Sequence, residues 1–276
     1  MHVPHSYIEN SVHNALLEDI GSGDVTAKLI PEDSFSLASV VTRQTATICG
    51  IDWFDEVFTQ LDSSIFIDWN VNDGEVAEAG QQICSLSGST QALLTGERVA
   101  LNFLQTLSGT ATKASEYAAA VEGMQVKVLD TRKTVPGLRI AQKYAATCGG
   151  CHNHRVGLYD AILIKENHIN ATGGISQAIE SARVSSPDLM VQIEVENLDE
   201  LQMALDANAD RIMLDNFNLA LLYEAVKINN NKIELEASGN VTLENIRSIA
   251  ETGVNYISVG ALTKNIKALD LSMQFS

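Results

Sequence analysis

Apolar positions fall into three regimes along the chain. Between residues 6 and 19, Tyr7, Ile8, Val12, Leu16 and Leu17 lie on one side of a short amphipathic helix, which Gly21 and Gly23 close. From 35 to 90 the period shortens. Ser39–Arg43, Ile65–Trp69 and Gln82–Leu86 read as strands, and Asn72-Asp73-Gly74 as a tight turn. Leu93, Leu94, Val99, Leu101, Phe103, Leu104 and Leu107 then restore helical spacing, predicting a helix to Gly109 and a second from Thr110 to Val121. Six short runs follow: Val126–Leu129, Ala161–Ile164, Met190–Val195, Arg211–Leu214, Ile233–Glu236 and Tyr256–Val259. Most are apolar or β-branched, as strands covered on both faces should be. Helix-like segments at about 174–185, 197–207, 217–228 and 242–252 separate the later runs. Such alternation predicts a parallel βα array closing toward a barrel. With six strands in place of the usual eight, that barrel should be small or incomplete.

The segment Val71–Ile83, with Gly74 and Gly80, resembles the folded-over sandwich of biotinyl and lipoyl carrier domains. Those domains present a lysine on a tight turn. No lysine lies between Lys28 and Lys113, so this stretch is architecture and not a carrier.

Charge changes the picture. The chain of 276 residues carries a formal charge of −17, which disfavours nucleic acid and anionic membrane as partners. Yet Lys127, Arg132, Lys133, Arg139, Lys143, Arg155 and Lys165 share their stretch with only Asp130 and Asp160. That stretch is +5 and the remainder −22, the pattern of a pocket for a small, highly anionic ligand rather than of an evenly solvated face. No apolar run approaches the roughly 18 residues of a membrane span. No basic cluster followed by an apolar stretch opens the chain, so the cytoplasm is the expected compartment.

In βα barrels the chemistry sits where strands end. Here those ends read Asp130-Thr131-Arg132-Lys133-Thr134, Lys165-Glu166-Asn167-His168, Glu194 with Glu196, Asp215-Asn216, Ser238-Gly239-Asn240 and Gly260-Ala261. Arg132, Lys133, Arg155 and Lys165, with His154 beside them, are suited to carboxylates and phosphates. Glu194 and Asp215, on adjacent strands, suit Mg²⁺, which takes one or two carboxylates plus substrate oxygens. They equally suit pairing with the lysines. Gly239 and Gly260 open turns whose backbone N–H groups can hold a phosphate.

Cys148-Gly149-Gly150-Cys151-His152 matches a haem-attachment pattern, but that chemistry requires export. Cys148, Cys151, His152 and His154 lie too close in sequence for tetrahedral zinc. Four cysteines in a chain of this size do not make a disulfide framework.

Seven motifs in order, Leu94-Thr95-Gly96-Glu97-Arg98, Thr131-Arg132-Lys133-Thr134, Asn153-His154-Arg155, Leu163-Ile164-Lys165-Glu166-Asn167-His168, Glu194-Val195-Glu196, Leu214-Asp215-Asn216 and Ser238-Gly239-Asn240, resemble those of quinolinate phosphoribosyltransferases. The resemblance implies an N-terminal α/β sandwich domain, placed at 1–112, and an atypical, incomplete α/β barrel at 113–276. It implies transfer of phosphoribosyl from phosphoribosyl pyrophosphate to quinolinate, with loss of CO₂, giving nicotinate mononucleotide and pyrophosphate. Arg132, His154, Arg155 and Lys165 resemble the quinolinate-binding set, Lys133 the donor-binding lysine, and Glu194 and Asp215 the Mg²⁺ ligands. Ser238, Gly239 and Gly260 are placed with the substrate-binding turns. Family members are homodimers or assemblies of dimers, and Arg98 resembles the arginine that enters the neighbouring subunit's site. Where the family commonly has a third glycine, this chain has Cys151. Sister transferases for nicotinate, or the molybdate-associated paralogue, would not need the full cationic set. A non-catalytic sensor would not need Glu194, Asp215 and Lys133.

Overall fold

The computed structural model describes all residues, 1–276. In chain order the helices are α1 (His5–Ile20), α2 (Ile51–Leu61), α3 (Thr90–Ala120), α4 (Arg139–Cys148), α5 (Glu166–Thr172), α6 (Ile175–Ser185), α7 (Leu198–Asp206), α8 (Leu219–Asn229), α9 (Ile246–Ala250) and α10 (Ala261–Lys264). The strands are β1 (Phe35–Thr42), β2 (Ala46–Thr47), β3 (Phe66–Trp69), β4 (Val76–Ala77), β5 (Gln82–Ser89), β6 (Lys127–Leu129), β7 (Ile162–Ile164), β8 (Val191–Val195), β9 (Arg211–Asp215), β10 (Glu234–Ser238), β11 (Tyr256–Ser258) and β12 (Leu271–Phe275).

The chain forms two compact units. The first comprises Met1–Ser115, Thr134–Gly150 and Thr263–Ser276. The second comprises Glu116–Lys133 and Cys151–Leu262. Two segments downstream of residue 112, Thr134–Gly150 with α4 and Thr263–Ser276 with β12, therefore fold with the N-terminal part.

In the first unit an antiparallel sheet runs β12-β1-β5-β3. Residues along β1 alternate, so Ala38, Val40 and Thr42 are buried while their neighbours are not, and one face carries the core. Three features were not read from the sequence. Helix α2 is one, and its Trp53, Phe54, Val57 and Phe58 are buried. Phe54 meets Phe58 and Trp69 edge-on, with centroids 5.2 Å apart in both pairs. β12 is the second, pairing with β1 from Ala38↔Phe275 to Thr42↔Leu271. The third concerns α3, where one helix of 31 residues replaces the two expected. Gly109 does not break it. A Cβ at Gly109 would collide with the carbonyl oxygen of Lys267, so this glycine permits close packing of the 263–276 segment.

In the second unit all six expected strands form one parallel sheet, ordered β6-β11-β10-β9-β8-β7. No ladder joins β6 to β7, so the barrel is not closed by hydrogen bonds. The segment at His152 lies in the gap on the β6 side: His152 N donates to Val128 O at 2.8 Å, and Asp130 N to His152 O at 2.9 Å. Register brings the strand ends level, with Leu129 beside Ser258, Ser238 beside Asp215, and Leu214 beside Val195. One strand face is not apolar. Gln192 and Glu236 are buried there, and Arg211 Nη2 donates to Glu234 at 2.8 Å while stacking on Tyr256 at 3.8 Å.

Candidate active site

The level strand ends of the second unit gather most of the expected residues. Their side chains fall into three groups.

The first group surrounds Asp130, whose carboxylate is fully buried. Its Oδ2 accepts from Asn153 Nδ2 at 2.6 Å and its Oδ1 from His154 N at 2.9 Å. A buried carboxylate is stable only when its oxygens are satisfied, so Asp130 fixes the loop that bears His154 and Arg155. His154 Nδ1 accepts from Arg155 N at 2.8 Å, which leaves the ring proton on Nε2. Nε2 stands 3.3 Å from Oε2 of Glu236, which is fully buried on β10 and also accepts from Gln192 Nε2 at 2.8 Å. Burial alone would raise Glu236, but hydrogen bonding and charge from His154, with Gln192 and Ser258, outweigh it and hold the carboxyl below its ordinary range.

Arg155 Nη1 donates to Ala161 O at 3.4 Å. Burial, and then the like charge of Arg132, lowers the Arg155 guanidinium from its ordinary value, while Asp160 opposes them. Arg132 Nε is buried and has no acceptor in the protein. Two neighbouring guanidinium groups, one with an unsatisfied buried donor, have the chemistry to receive a carboxylate.

The second group is Lys133, Lys165, Glu194 and Asp215. Lys165 Nζ donates to Glu194 Oε2 at 2.5 Å. His168 Nδ1 accepts from the Lys165 backbone N at 3.0 Å and caps α5. Burial and then the charge of Glu194 raise Asp215, while Lys165, Asn216 and Lys133 act in the opposite direction. Two carboxylates and two ammonium groups therefore share one field.

The third group is the pair of glycine turns. Gly239 has φ 102°, and a Cβ there would collide with Asn216 Oδ1. Asn216 is itself left-handed at φ 56°, and its Nδ2 holds Asp215 Oδ2 at 2.7 Å. The turn after β10 and the acid at the end of β9 are thus one unit of structure. Ser238 ends β10, with its carbonyl accepting from Asn216 N at 2.8 Å. At Gly260 a Cβ would lie 3.1 Å from Lys133 Cδ, so the absence of a side chain lets Lys133 lie across the end of β11.

Arg98 belongs to the first unit. It is exposed on α3 between Gly96 and the buried Val99. Gly96 is required there because a Cβ would press on the Phe58 ring, 2.7 Å from Cε1. Arg139 and the fully buried Lys143 also belong to the first unit, so the basic stretch supplies two different bodies. Cys151 takes no left-handed backbone. Gly150, at φ 87°, supplies that turn, and cysteine in place of a third glycine carries no strain.

Residues 24–108 match the quinolinate phosphoribosyl transferase N-terminal domain and residues 110–274 its C-terminal domain. The chain belongs to the quinolinate phosphoribosyltransferase family. A probable nicotinate-nucleotide pyrophosphorylase [carboxylating] of Bacillus subtilis is 40% identical over 270 residues, covering 98% of this chain and 93% of that one. Quinolinate phosphoribosyltransferase [decarboxylating] 2b, mitochondrial, of Nicotiana tabacum is 40% identical, covering 94% and 80%. The structure of the Francisella tularensis nicotinate-nucleotide pyrophosphorylase superposes with a TM-score of 0.97 at 47% identity, covering 100% and 98%. Asp130 and Glu236 hold the loop and the imidazole at this end of the sheet, and sequence reasoning leaves both without a role. Asp130 stands at a strand end legible in the sequence. The signal for Glu236 was a carboxylate two positions before Ser238, hence on the same strand face.

Proposed function

We propose that this chain joins quinolinate to the phosphoribosyl group of phosphoribosyl pyrophosphate, and releases pyrophosphate and CO₂ to give nicotinate mononucleotide in NAD biosynthesis. The carrying observation is the Arg132–Arg155 pair with its buried, acceptor-less Arg132 Nε, set beside the mixed Lys133, Lys165, Glu194 and Asp215 group. The first suits a dicarboxylate and the second a metal-bound pyrophosphate.

Arg132 and Arg155 bind the quinolinate carboxylates. His154 orients Arg155 by accepting its backbone N–H, and Glu236 holds the imidazole from behind. The ring nitrogen then faces ribose C1. The C1–O bond breaks, its electron pair leaves with pyrophosphate, and the N–C1 bond forms. Lys133 and Lys165 stabilise the departing charge. The alkylated ring is cationic and accepts the electron pair of the C2–carboxylate bond, so CO₂ leaves and a proton takes its place at C2. Ser238, Gly239 and Gly260 line the phosphate end.

Glu194 and Asp215 fit Mg²⁺. Both are oxygen donors on adjacent strands, and Asp215 is raised by burial and then by Glu194, which is electrostatic strain that a cation relieves. When bound, the ion neutralises pyrophosphate charge. Lys165 must then give up Glu194 and turn to substrate.

Charge-assisted hydrogen bonds contribute roughly 1.5–3 kcal/mol each. A site built for two carboxylates should therefore prefer quinolinate to nicotinate by on the order of a hundredfold. The cationic set favours this reading over a nicotinate transferase, and Glu194, Asp215 and Lys133 favour it over a sensor.

Arg98 completes the site from the neighbouring subunit of a homodimer, the reading supported by its exposure on α3 and by its family motif. No helix is long and apolar enough to cross a membrane. The cytoplasm remains the proposed compartment, and the four cysteines, all thiols, support that reading. Mixing Arg98→Ala with Arg132→Ala chains under subunit exchange tests the shared site. Each alone should be inactive and the mixture should regain activity through hybrid dimers. No recovery in verified hybrids would refute cross-subunit completion.

A further inference from the structure

Within the first unit, two cysteines distant in sequence meet. Cys49 immediately precedes Gly50, the residue that opens α2, and is fully buried. Cys148 is the last residue of α4 and is partly exposed. Their Sγ atoms and a carboxylate oxygen of Asp73 all lie within 4.8 Å of one another.

Both backbones are pinned. Cys49 N donates to Ser108 Oγ at 2.9 Å, and Ser108 Oγ donates back to Cys49 O at 3.1 Å. Gly74 N donates to Ile48 O at 2.8 Å, and a Cβ on Gly74 would lie 3.2 Å from Cys148 O. The Asn72-Asp73-Gly74 turn therefore lies against both cysteine segments, and a bond of about 2 Å between the sulfurs requires the two side chains to close the remaining gap.

We propose that Cys49 and Cys148 form a reversible thiol–disulfide pair, with Cys148 the attacking sulfur and Cys49 the resolving one. The Cys49 thiol hydrogen-bonds to Cys148 and lowers it, against burial and the charge of Asp73, whereas burial pushes Cys49 well up. Thiolate character and access thus fall on the same sulfur. Burial pushes Cys151 up to about 12, and Cys84 is raised as well, so these two are the unreactive members.

The oxidant is a hydroperoxide. Cys148 thiolate attacks its terminal oxygen, the O–O bond breaks, and with hydrogen peroxide the products are Cys148 sulfenic acid and hydroxide, which is protonated to water. Cys49 sulfur then displaces the sulfenic oxygen, a second water leaves with the Cys49 proton, and the S–S bond forms. Two electrons pass from two thiols to one peroxide.

A soft-metal centre at Cys49, Asp73 and Cys148 is disfavoured because Asp73 is already engaged. Its Oδ1 accepts from Gly50 N at 2.9 Å and Ile51 N at 3.2 Å, and its Oδ2 from Tyr144 Oη at 2.9 Å.

The test treats the reduced, full-length protein with a small excess of hydrogen peroxide. Remaining thiols are alkylated, and peptides are mapped without reduction. Two of the four thiols should be lost, a Cys49–Cys148 linked peptide should appear, and dithiothreitol should restore all four. In Cys49→Ser, Cys148 should instead be trapped as a dimedone-reactive sulfenic acid. Four alkylatable thiols after oxidation, or Cys148 carried to sulfinic acid in the unsubstituted protein with Cys49 still free, overturns the proposal. So does stoichiometric zinc in the purified protein that Cys148→Ser loses.

Discussion

The carboxylate of Glu236, with no exposed surface, faces Nε2 of His154 across 3.3 Å, and the other imidazole nitrogen accepts the N–H of Arg155. A chain of contacts thus runs from inside the barrel to the backbone of Arg155, whose guanidinium is proposed to bind quinolinate. Glu236→Gln keeps the volume and removes the charge. Losing a charge-assisted contact costs roughly 1.5–3 kcal/mol, so kcat/KM for quinolinate should fall by on the order of 10- to 100-fold. The loss should appear in KM for quinolinate, with KM for phosphoribosyl pyrophosphate little changed. Equal loss on both substrates would place Glu236 outside the chain that positions Arg155.

Stability should depend on pH through two carboxyls of opposite sense. Glu236 is held below its unfolded value, so its contribution is complete above about pH 4.3 and is lost as pH falls through the lowered folded value. Asp55 is raised to about 6, chiefly by burial and further by Asp52 and Asp73, against the hydrogen bond from Trp69. The folded state takes up this proton first, so its contribution is present below about pH 3.9 and is lost as pH rises through about 6. Asp55→Asn keeps the Oδ1 acceptor for Trp69 Nε1, now at 2.9 Å. Thermal melts at about pH 5 and about pH 7.5 should then differ less than in the parent protein. An unchanged difference would remove Asp55 as the source.

Gly239→Ala should disable the site without unfolding the protein. Its left-handed backbone alone costs a side chain roughly 1–2 kcal/mol, and the new Cβ would displace Asn216, which holds Asp215. Turnover should fall sharply, the Mg²⁺ concentration for half-activity should rise, and the melting temperature should shift by only a few degrees. Normal Mg²⁺ dependence in the variant would contradict the coupling of Gly239 to Asp215.

Much of this was legible in the chain. The six barrel strands are legible because short apolar runs recur between helical segments, and parallel register brings the residues that follow them to one end of the sheet. Helix α2 was missed because its apolar Trp53, Phe54, Val57 and Phe58 stand among runs that read as strands. The break placed at Gly109 treated glycine as a stop, whereas its reason is the Lys267 carbonyl, which lies 158 positions away. The Cys148-to-His152 motif concealed its partner in the same way. Cys148 meets Cys49, and no local pattern encodes that pairing. Glu236 reads from the sequence as the end of a strand, and only the fold shows His154 and Gln192 beside it.

The most direct measurement incubates the purified protein with phosphoribosyl pyrophosphate, Mg²⁺ and either quinolinate or nicotinate, following CO₂ release and mononucleotide formation together. Equimolar CO₂ and nicotinate mononucleotide from quinolinate, abolished by chelation and nearly absent with nicotinate, is the expected result. Mononucleotide from nicotinate without CO₂, or no product from either acid in folded dimeric protein, would contradict it.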